Sequence, residues 1–305
     1  MRSRSNGDTV RLASWNIRWF LDNRPGDGSS ADGNATDLEW LACTLAWLDA
    51  DVVALQEIKP TSRAENAWTT VTQSLCDRVG GNWKVALNSC GSGTSQHVGF
   101  LWNADKYELE DDRQLWQLNG ASTGPGEPCE GNLRPGYGGF FKPTSPDGFD
   151  FYAASVHFDS GRSKKDFDTR QAAYDNLDAV AAIAADSETD VIILGDYNTM
   201  GREYTGVSGK EEIQKLKTKA ISEAPGFTLL EATPACTEYF EKKGGWLDHI
   251  VVTSGTEEVL ANAEVTGYCA VNACAPISGE MPAAYRILSD HCPIVADFRD
   301  RDLDT

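Results

Sequence analysis

Apolar runs that read as buried strands recur along this chain, and each ends on, or abuts, a side chain able to bind metals or phosphates. VRLASW leads to Asn16, DVVALQ to Glu57, FDFYAASV to His157, and DVIILG to Asp196 and Asn198. HIVVTS follows Asp248, and CPIVADF follows Asp290 and His291. Short runs of β-branched and aliphatic residues predict strands, and polar residues at strand ends are where α/β proteins assemble sites. Any one of these residues alone is explained by turn chemistry, since Asn and Asp satisfy nearby backbone N–H groups. A solitary His is more often a packed side chain than a catalyst. Turn chemistry does not produce the repetition, so the pattern predicts one assembled site.

At 305 residues, 41% of them hydrophobic, the chain can bury a sizeable core, and no Pro-, Gly- or Ser-rich linker divides it. The expected organisation is a tail over 1–9, one domain over 10–299 and an acidic tail over 300–305. The sequence has no run of about eighteen apolar residues, so no transmembrane segment is expected. The opening MRSRSNGDTV lacks the apolar core of a signal peptide, which fits a cytosolic protein or one numbered from a mature start. Eight cysteines, an even count without a CxxC pair, favour disulfides over a zinc site. They therefore favour a secreted or periplasmic protein, with the cytoplasm as the alternative. Cys269 and Cys274, close in sequence, are the first pair expected.

A net charge of −19 opposes binding to a polyanion unless positive charge is gathered locally or salt screens the rest. Two basic patches stand out. Lys210, Lys215, Lys217 and Lys219 lie in GKEEIQKLKTKA, and Arg162, Lys164 and Lys165 directly follow the His157 strand. The first is equally well explained as a solvated helix face. The bulk acidity also suits a salty habitat, where surface carboxylates keep a protein soluble.

The expected elements alternate. A strand over 10–16 precedes a helix near Thr36, where Thr36 and Glu39 form a capping box and Leu38, Leu41, Leu45 and Leu48 repeat at helical spacing. A strand over 51–56 and a helix over 64–79 follow. WKVALN, HVGFLWN, YELEDDRQLWQL, YGGFFK and FDFYAASV then read as a meander, which predicts antiparallel pairing. A helix over 166–185 leads to VIILG, and TLLEA, LDHIVVT, VLANAEVT and CPIVADF supply further strands. Two packed mixed sheets with helices outside account for this order.

SWNI, LQEI, SVHFDSG, ILGDYNT, WLDHIVV and SDHCPIVADF, in that order, resemble the successive motifs of the endonuclease/exonuclease/phosphatase superfamily, which includes DNase I and exonuclease III type enzymes. The resemblance runs from about residue 10 to 298. It implies an α/β fold, a four-layer α/β/β/α sandwich of two mixed, mostly antiparallel sheets flanked by helices. It also implies roles. Glu57 would bind a divalent cation, with Asp290 and Asn16 as direct or water-mediated ligands. Oxygen donors suit Mg²⁺, with Mn²⁺ or Ca²⁺ as alternatives. Asp196 and Asn198, two apart and in extended geometry on one side, would hold the attacking water, with Asp196 as base. Asp248 would orient His291, while His157 and Asn16 would donate to phosphate oxygens. Arg134, in NLRPGYGGFFK, resembles the family's phosphate-binding arginine, although a surface carboxylate could equally engage it.

DNase I type enzymes place a glutamate and a tyrosine near the strand matching HVGFLWN, and this chain has Thr94, Gln96 and His97 there. Gln96 is expected to accept from His157 in place of the glutamate. The leading functional reading is a secreted, metal-dependent endonuclease cutting DNA or RNA by in-line attack of water, acting as a monomer without a stable protein partner. The alternative is a phospholipid or small-molecule phosphodiesterase or phosphatase. Its sphingomyelinase-like form needs an exposed aromatic hairpin, for which Trp116, Phe140 and Phe141 are candidates. A non-catalytic binding module on the same fold is the remaining class. It would be expected to lose one of Glu57, His157, Asp196, Asp290 or His291, and all are present.

Overall fold

The computed structural model describes residues 8–23, 35–89, 96–120, 124, 129, 134–185, 188–204, 206–222 and 224–303; Cys90, Thr94 and most of the 1–9 tail lie outside them. The chain begins β1 (Thr9–Phe20), α1 (Leu38–Leu48), β2 (Val52–Ile58), α2 (Ser62–Val79), β3 (Trp83–Leu87) and β4 (His97–Asn103). It continues through β5 (Tyr107–Leu115), β6 (Gly136–Pro143), β7 (Phe151–His157), α3 (Lys164–Tyr174), α4 (Leu177–Ala184) and β8 (Val191–Asp196). Next come β9 (Gly201–Arg202), β10 (Val207–Ser208), α5 (Gly209–Ser222), β11 (Phe227–Leu229) and β12 (Ala232–Thr233). A hairpin of β13 (Glu238–Phe240) and β14 (Lys243–Gly245) precedes β15 (Asp248–Thr253), β16 (Ala263–Val265), α6 (Gly267–Asn272), α7 (Ala283–Ile287) and β17 (Ile294–Arg299).

Strand alternation sorts these residues into layers. Val10 and Leu12 of β1 and Val52 and Ala54 of β2 face inward and meet Phe151, Ala153, Ile192 and Leu194 of β7 and β8. The opposite faces bury Ala13, Trp15, Val53 and Leu55 under α1 and α2. Tyr152, Ala154, Val191 and Ile193 are covered by α3, α4 and α5. A seven-stranded sheet, β12-β16-β17-β1-β2-β4-β3, thus packs on a six-stranded one, β11-β15-β8-β7-β6-β5, with helices outside both. This is the expected α/β/β/α sandwich. Each large apolar side chain buried in it contributes roughly 1.5–3 kcal/mol.

Local expectations needed correction at several points. The N-cap of α1 is Asp37, whose carboxylate accepts from Trp40 N at 2.9 Å. Thr36 instead donates its backbone N–H to Leu21 O, and Glu39 turns to Ser74 and Arg78 of α2. The helix expected over 166–185 is two. Asn176 interrupts it by donating its side-chain amide to Gln117 O and Ala172 O. VLANAEVT narrows to β16, with Val259 making only an isolated bridge to Phe298. Phe141 is fully buried among aromatic rings and Phe140 packs against the core beneath α3 and α4, so the pair forms no membrane hairpin.

The cysteine pairing also differs. Cys236 bonds Cys274 and Cys269 bonds Cys292, with Cα separations of 5.2 and 6.1 Å. Cys269 sits inside α6 facing the core, whereas Cys274 lies beyond the helix and is, with Ala273, one of two left-handed residues that reverse the chain. Five positions apart on a helix, two side chains point away from each other, so nearness in sequence misled here. Cys43 and Cys76 are free thiols. No helix among the described residues is long and apolar enough to cross a membrane.

Candidate active site

Strand direction brings the polar ends together. β1 and β2 run parallel, with Asn16 opposite Gln56. β17 runs antiparallel to β1, with Ile294 opposite Ser14, so Asp290 and His291 arrive at the same end. In the other sheet β7 and β8 are parallel with His157 opposite Asp196, and antiparallel β15 sets Asp248 opposite Asp196. Between the sheets lies a cavity of about 300 Å³, walled by Glu57, Arg134, His157, Asp196, Asn198, Asp290 and His291 together with Trp19, Gln96 and Glu238. Asn16 and Asp248 stand behind this wall, buried, and act through its members. An apolar hollow of about 330 Å³ beside α1, floored by Trp15, has no comparable gathering of charge.

By strict alternation Glu57 would face outward with Val53 and Leu55. Its φ of 63° and the register irregularity after Leu55 break the alternation. The carboxylate instead accepts from Asn16 Nδ2 at 3.1 Å and Trp19 N at 3.0 Å. Asn16 Nδ2 also donates to Asp196 Oδ2 at 3.0 Å, so one amide ties carboxylates of both sheets. Beneath them Ser14 donates to Gln56 Oε1 (3.3 Å), and Gln56 Nε2 donates to Ser155 Oγ (3.1 Å). This polar seam replaces the apolar packing found deeper between the sheets and leaves its buried groups paired.

The surroundings of the two cavity histidines push their pKa values in opposite directions. His291 Nδ1 meets Asp248 Oδ2 at 2.8 Å. Burial alone would lower its pKa, but Asp248, Asp196 and Asp290 hold it well above the ordinary value. His157 is driven well below by burial, Arg134 and His291, and its Nδ1 has no hydrogen-bond partner. The Nε2 atoms of His157 and His291 lie 3.4 and 3.8 Å from Asp196 Oδ2. Burial, against the opposing pull of His291, pushes Asp196 up to about 7, while its Oδ1 accepts from Asn198 N at 2.9 Å. Arg134 donates to His157 O (3.3 Å) and Phe158 O (3.1 Å), which sets its guanidinium on the cavity wall.

Two expectations fail in detail. Gln96 lines the cavity but does not accept from His157, whose Nδ1 is unpartnered. Asn198 is not extended: it follows the end of β8 with φ 51°, and its side-chain Nδ2 donates to Phe158 O at 3.0 Å. The sequence reading also passed over Gln56, Ser155, Arg18 and Glu238. Arg18 pairs with Asp290 at 3.4 Å and lies over the Tyr285 ring. Gln56 and Ser155 occupy inward positions of β2 and β7, so polar residues on otherwise apolar faces were the available signal. Glu238 offered none, because its three-residue strand is too short to show a period.

Two carboxylate groupings could take a cation. Ligand atoms of Asp196, Asp248 and His291 lie within 4.8 Å of one another. His291 Nδ1 is already engaged by Asp248 Oδ2 at 2.8 Å, which leaves only Nε2 and the carboxylate oxygens of that grouping for an ion. Glu57 and Asp290 fit better. They are oxygen donors whose mutual repulsion, after burial, raises the Glu57 pKa, a conflict that a hard divalent ion relieves.

The profile of the endonuclease/exonuclease/phosphatase family matches residues 13–291. Among curated proteins none matches the sequence. Similar solved structures include an endonuclease/exonuclease/phosphatase from Bacteroides vulgatus, 20% identical with a TM-score of 0.63, covering 96% of this chain and 99% of that one. A mannosyl-6-phosphatase from Bacteroides thetaiotaomicron is 15% identical, with a TM-score of 0.59 and coverage of 95% and 99%. The human Nocturnin catalytic domain is 13% identical, with a TM-score of 0.56 and coverage of 95% and 94%. The chain belongs to the endonuclease/exonuclease/phosphatase family.

Proposed function

We propose that this protein is a divalent-metal-dependent phosphoester hydrolase that attacks phosphorus directly with water. The observation that carries the reading is the convergence of Asp196, His157, His291 and Arg134 on a cavity that also holds the Glu57 and Asp290 carboxylates. Glu57 and Asp290, with Asn16 behind them, would hold Mg²⁺, or Mn²⁺ or Ca²⁺ in its place, and the ion would supply positive charge for the phosphoryl oxygens. Asp196 accepts the proton of the attacking water, its carboxylate oriented by Asn16 Nδ2 and Asn198 N. His291, kept charged by Asp248, and Arg134 donate to phosphoryl oxygens as negative charge grows on them. Neutral His157 donates from Nε2. The new P–O bond comes from water, and the bond to the leaving oxygen breaks in line with it.

A secreted endonuclease acting on DNA, or RNA, is the substrate reading that the motifs favour, and the two disulfides suit an oxidising compartment. A small phosphoester is favoured instead by the charge around the cavity, because several patch lysines are already paired. Lys164 pairs with Asp168, Lys217 with Glu231 and Lys219 with Asp175. Nicking of supercoiled plasmid with Mg²⁺ or EDTA, from low to high salt, separates the two readings. Metal-dependent nicking supports the nuclease; an intact plasmid beside a hydrolysed small ester supports the other.

A further inference from the structure

Glu238, at the head of the β13–β14 hairpin, lines the cavity and is only 7% exposed. A backbone bridge to His291 fixes its position. Its side chain makes no hydrogen bond or ion pair among the described residues. The charged groups that act on it are His291, Asp290, Asp196 and Asp248. The guanidinium of Arg134 is directed at backbone oxygens, and that of Arg18 at Asp290. The carboxyl group faces the cavity without a partner among the described residues, so it is placed to bond a polar group of whatever enters there.

The surroundings narrow what that partner can be. At Glu238 a second phosphate, such as the next one along a nucleic-acid strand, would face that carboxyl group together with Asp290, Asp196 and Asp248, with His291 as the positive group acting there. An apolar or aromatic group would bury the carboxyl without a bond. A hydroxyl pairs with a carboxyl group in either protonation state, donating to the ionised form and both donating to and accepting from the neutral one. The cavity of about 300 Å³ has room for a ring beside the phosphate. We propose that Glu238 is a specificity-determining residue that hydrogen-bonds a hydroxyl of the alcohol esterified to the scissile phosphate. The site then takes phosphoesters of uncharged, hydroxyl-rich alcohols, sugars or polyols, in preference to nucleic-acid strands. The inference rests on the phosphoester-hydrolase reading of the same cavity.

The test compares the full chain with Glu238→Gln and Glu238→Leu, in Mg²⁺, on a hexose 6-phosphate, cyclohexylmethyl phosphate and a single-stranded oligodeoxynucleotide. The two small esters share a primary phosphoester and a six-membered ring and differ in hydroxyls. The wild-type chain is expected to favour the hexose ester in kcat/KM by at least about 10-fold, the scale of discrimination that a buried polar contact supplies. Glu238→Leu should lose about that factor on the hexose ester, chiefly through KM, and hydrolyse the cyclohexyl ester faster than wild type. Glu238→Gln should fall between them, because an amide still bonds a hydroxyl. Equal rates on the two small esters, or a preference that survives in Glu238→Leu, overturns the proposal. So does a raised Mg²⁺ requirement in Glu238→Gln, which would make Glu238 a metal ligand. Cleavage of the oligonucleotide alone overturns the inference and leaves the hydrolase reading standing, whereas no hydrolysis of any of the three overturns both.

Discussion

His157 and His291 face one cavity and approach the same oxygen of Asp196, yet their surroundings push their pKa values in opposite directions. The difference lies behind each ring. Asp248 meets the far nitrogen of His291 at 2.8 Å, while the far nitrogen of His157 meets nothing and Arg134 stands nearby. Strand register decides which ring has a carboxylate at its back, since β15 delivers Asp248 opposite Asp196 and no strand delivers one to His157. One ring is thereby favoured as a cation and the other as a neutral group, and Asp196 sits between them, where the proposed mechanism needs its proton acceptor.

The largest expected effect comes from removing the carboxylate that both rings face. Asp196→Ala should reduce turnover by roughly 10³-fold or more with the fold intact by circular dichroism. A near-normal rate would sink its role as base. Asp248→Asn strikes only the His291 side. Without that carboxylate His291 keeps only Asp196 and Asp290 against burial, so its pKa should fall, visible in a pH titration of its imidazole ¹⁵N shifts, with a loss in kcat of roughly 10²-fold. Were the shifts unchanged, Asp248 would not be what charges His291.

Glu57→Gln should spare both rings and raise the Mg²⁺ concentration for half-maximal activity by roughly 10-fold. An unaltered metal titration would move the ion to another grouping. Joint replacement of Cys269 and Cys292 by Ser releases the segment beside His291 and is expected to cost about 2–4 kcal/mol in chemical denaturation. A loss near zero would mean that the surrounding packing alone holds the segment.

The smallest effect concerns a third histidine, buried in β15 away from the cavity. His249 bonds Thr199 Oγ1 through Nε2 at 2.9 Å, and burial pushes its pKa from 6.5 down to about 3. A base depressed in the folded state contributes stability above its ordinary pKa and loses it as pH falls. Unfolding free energy should thus drop by up to about 1.4 kcal/mol per pH unit below that point, and the slope should flatten in His249→Gln. An equal slope in the variant would place the acid sensitivity elsewhere.

Much of the sandwich was legible because β1, β2, β7 and β8 are continuous apolar runs that end in polar residues, so run length and motif pointed to one architecture. The capping of α1 and the break at Asn176 were not, because a one-residue shift of a cap or a side-chain bond to a distant backbone oxygen leaves no periodic trace. The disulfide pairing depended on the chain reversal after α6, which local spacing does not encode. At the candidate site, the motif residues could be read as a set. The inward turn of Glu57 required its positive φ, and Glu238 required the bridge that brings a short hairpin to His291.

The most direct test of the central claim is hydrolysis of bis(4-nitrophenyl) phosphate by the purified chain in water enriched in heavy oxygen, with Mg²⁺ or with EDTA. The account predicts release of nitrophenol that stops in EDTA, with one heavy oxygen from solvent on the phosphate monoester product. Hydrolysis that persists in EDTA, or label found in the nitrophenol instead of the phosphate, would contradict metal-dependent attack of water at phosphorus.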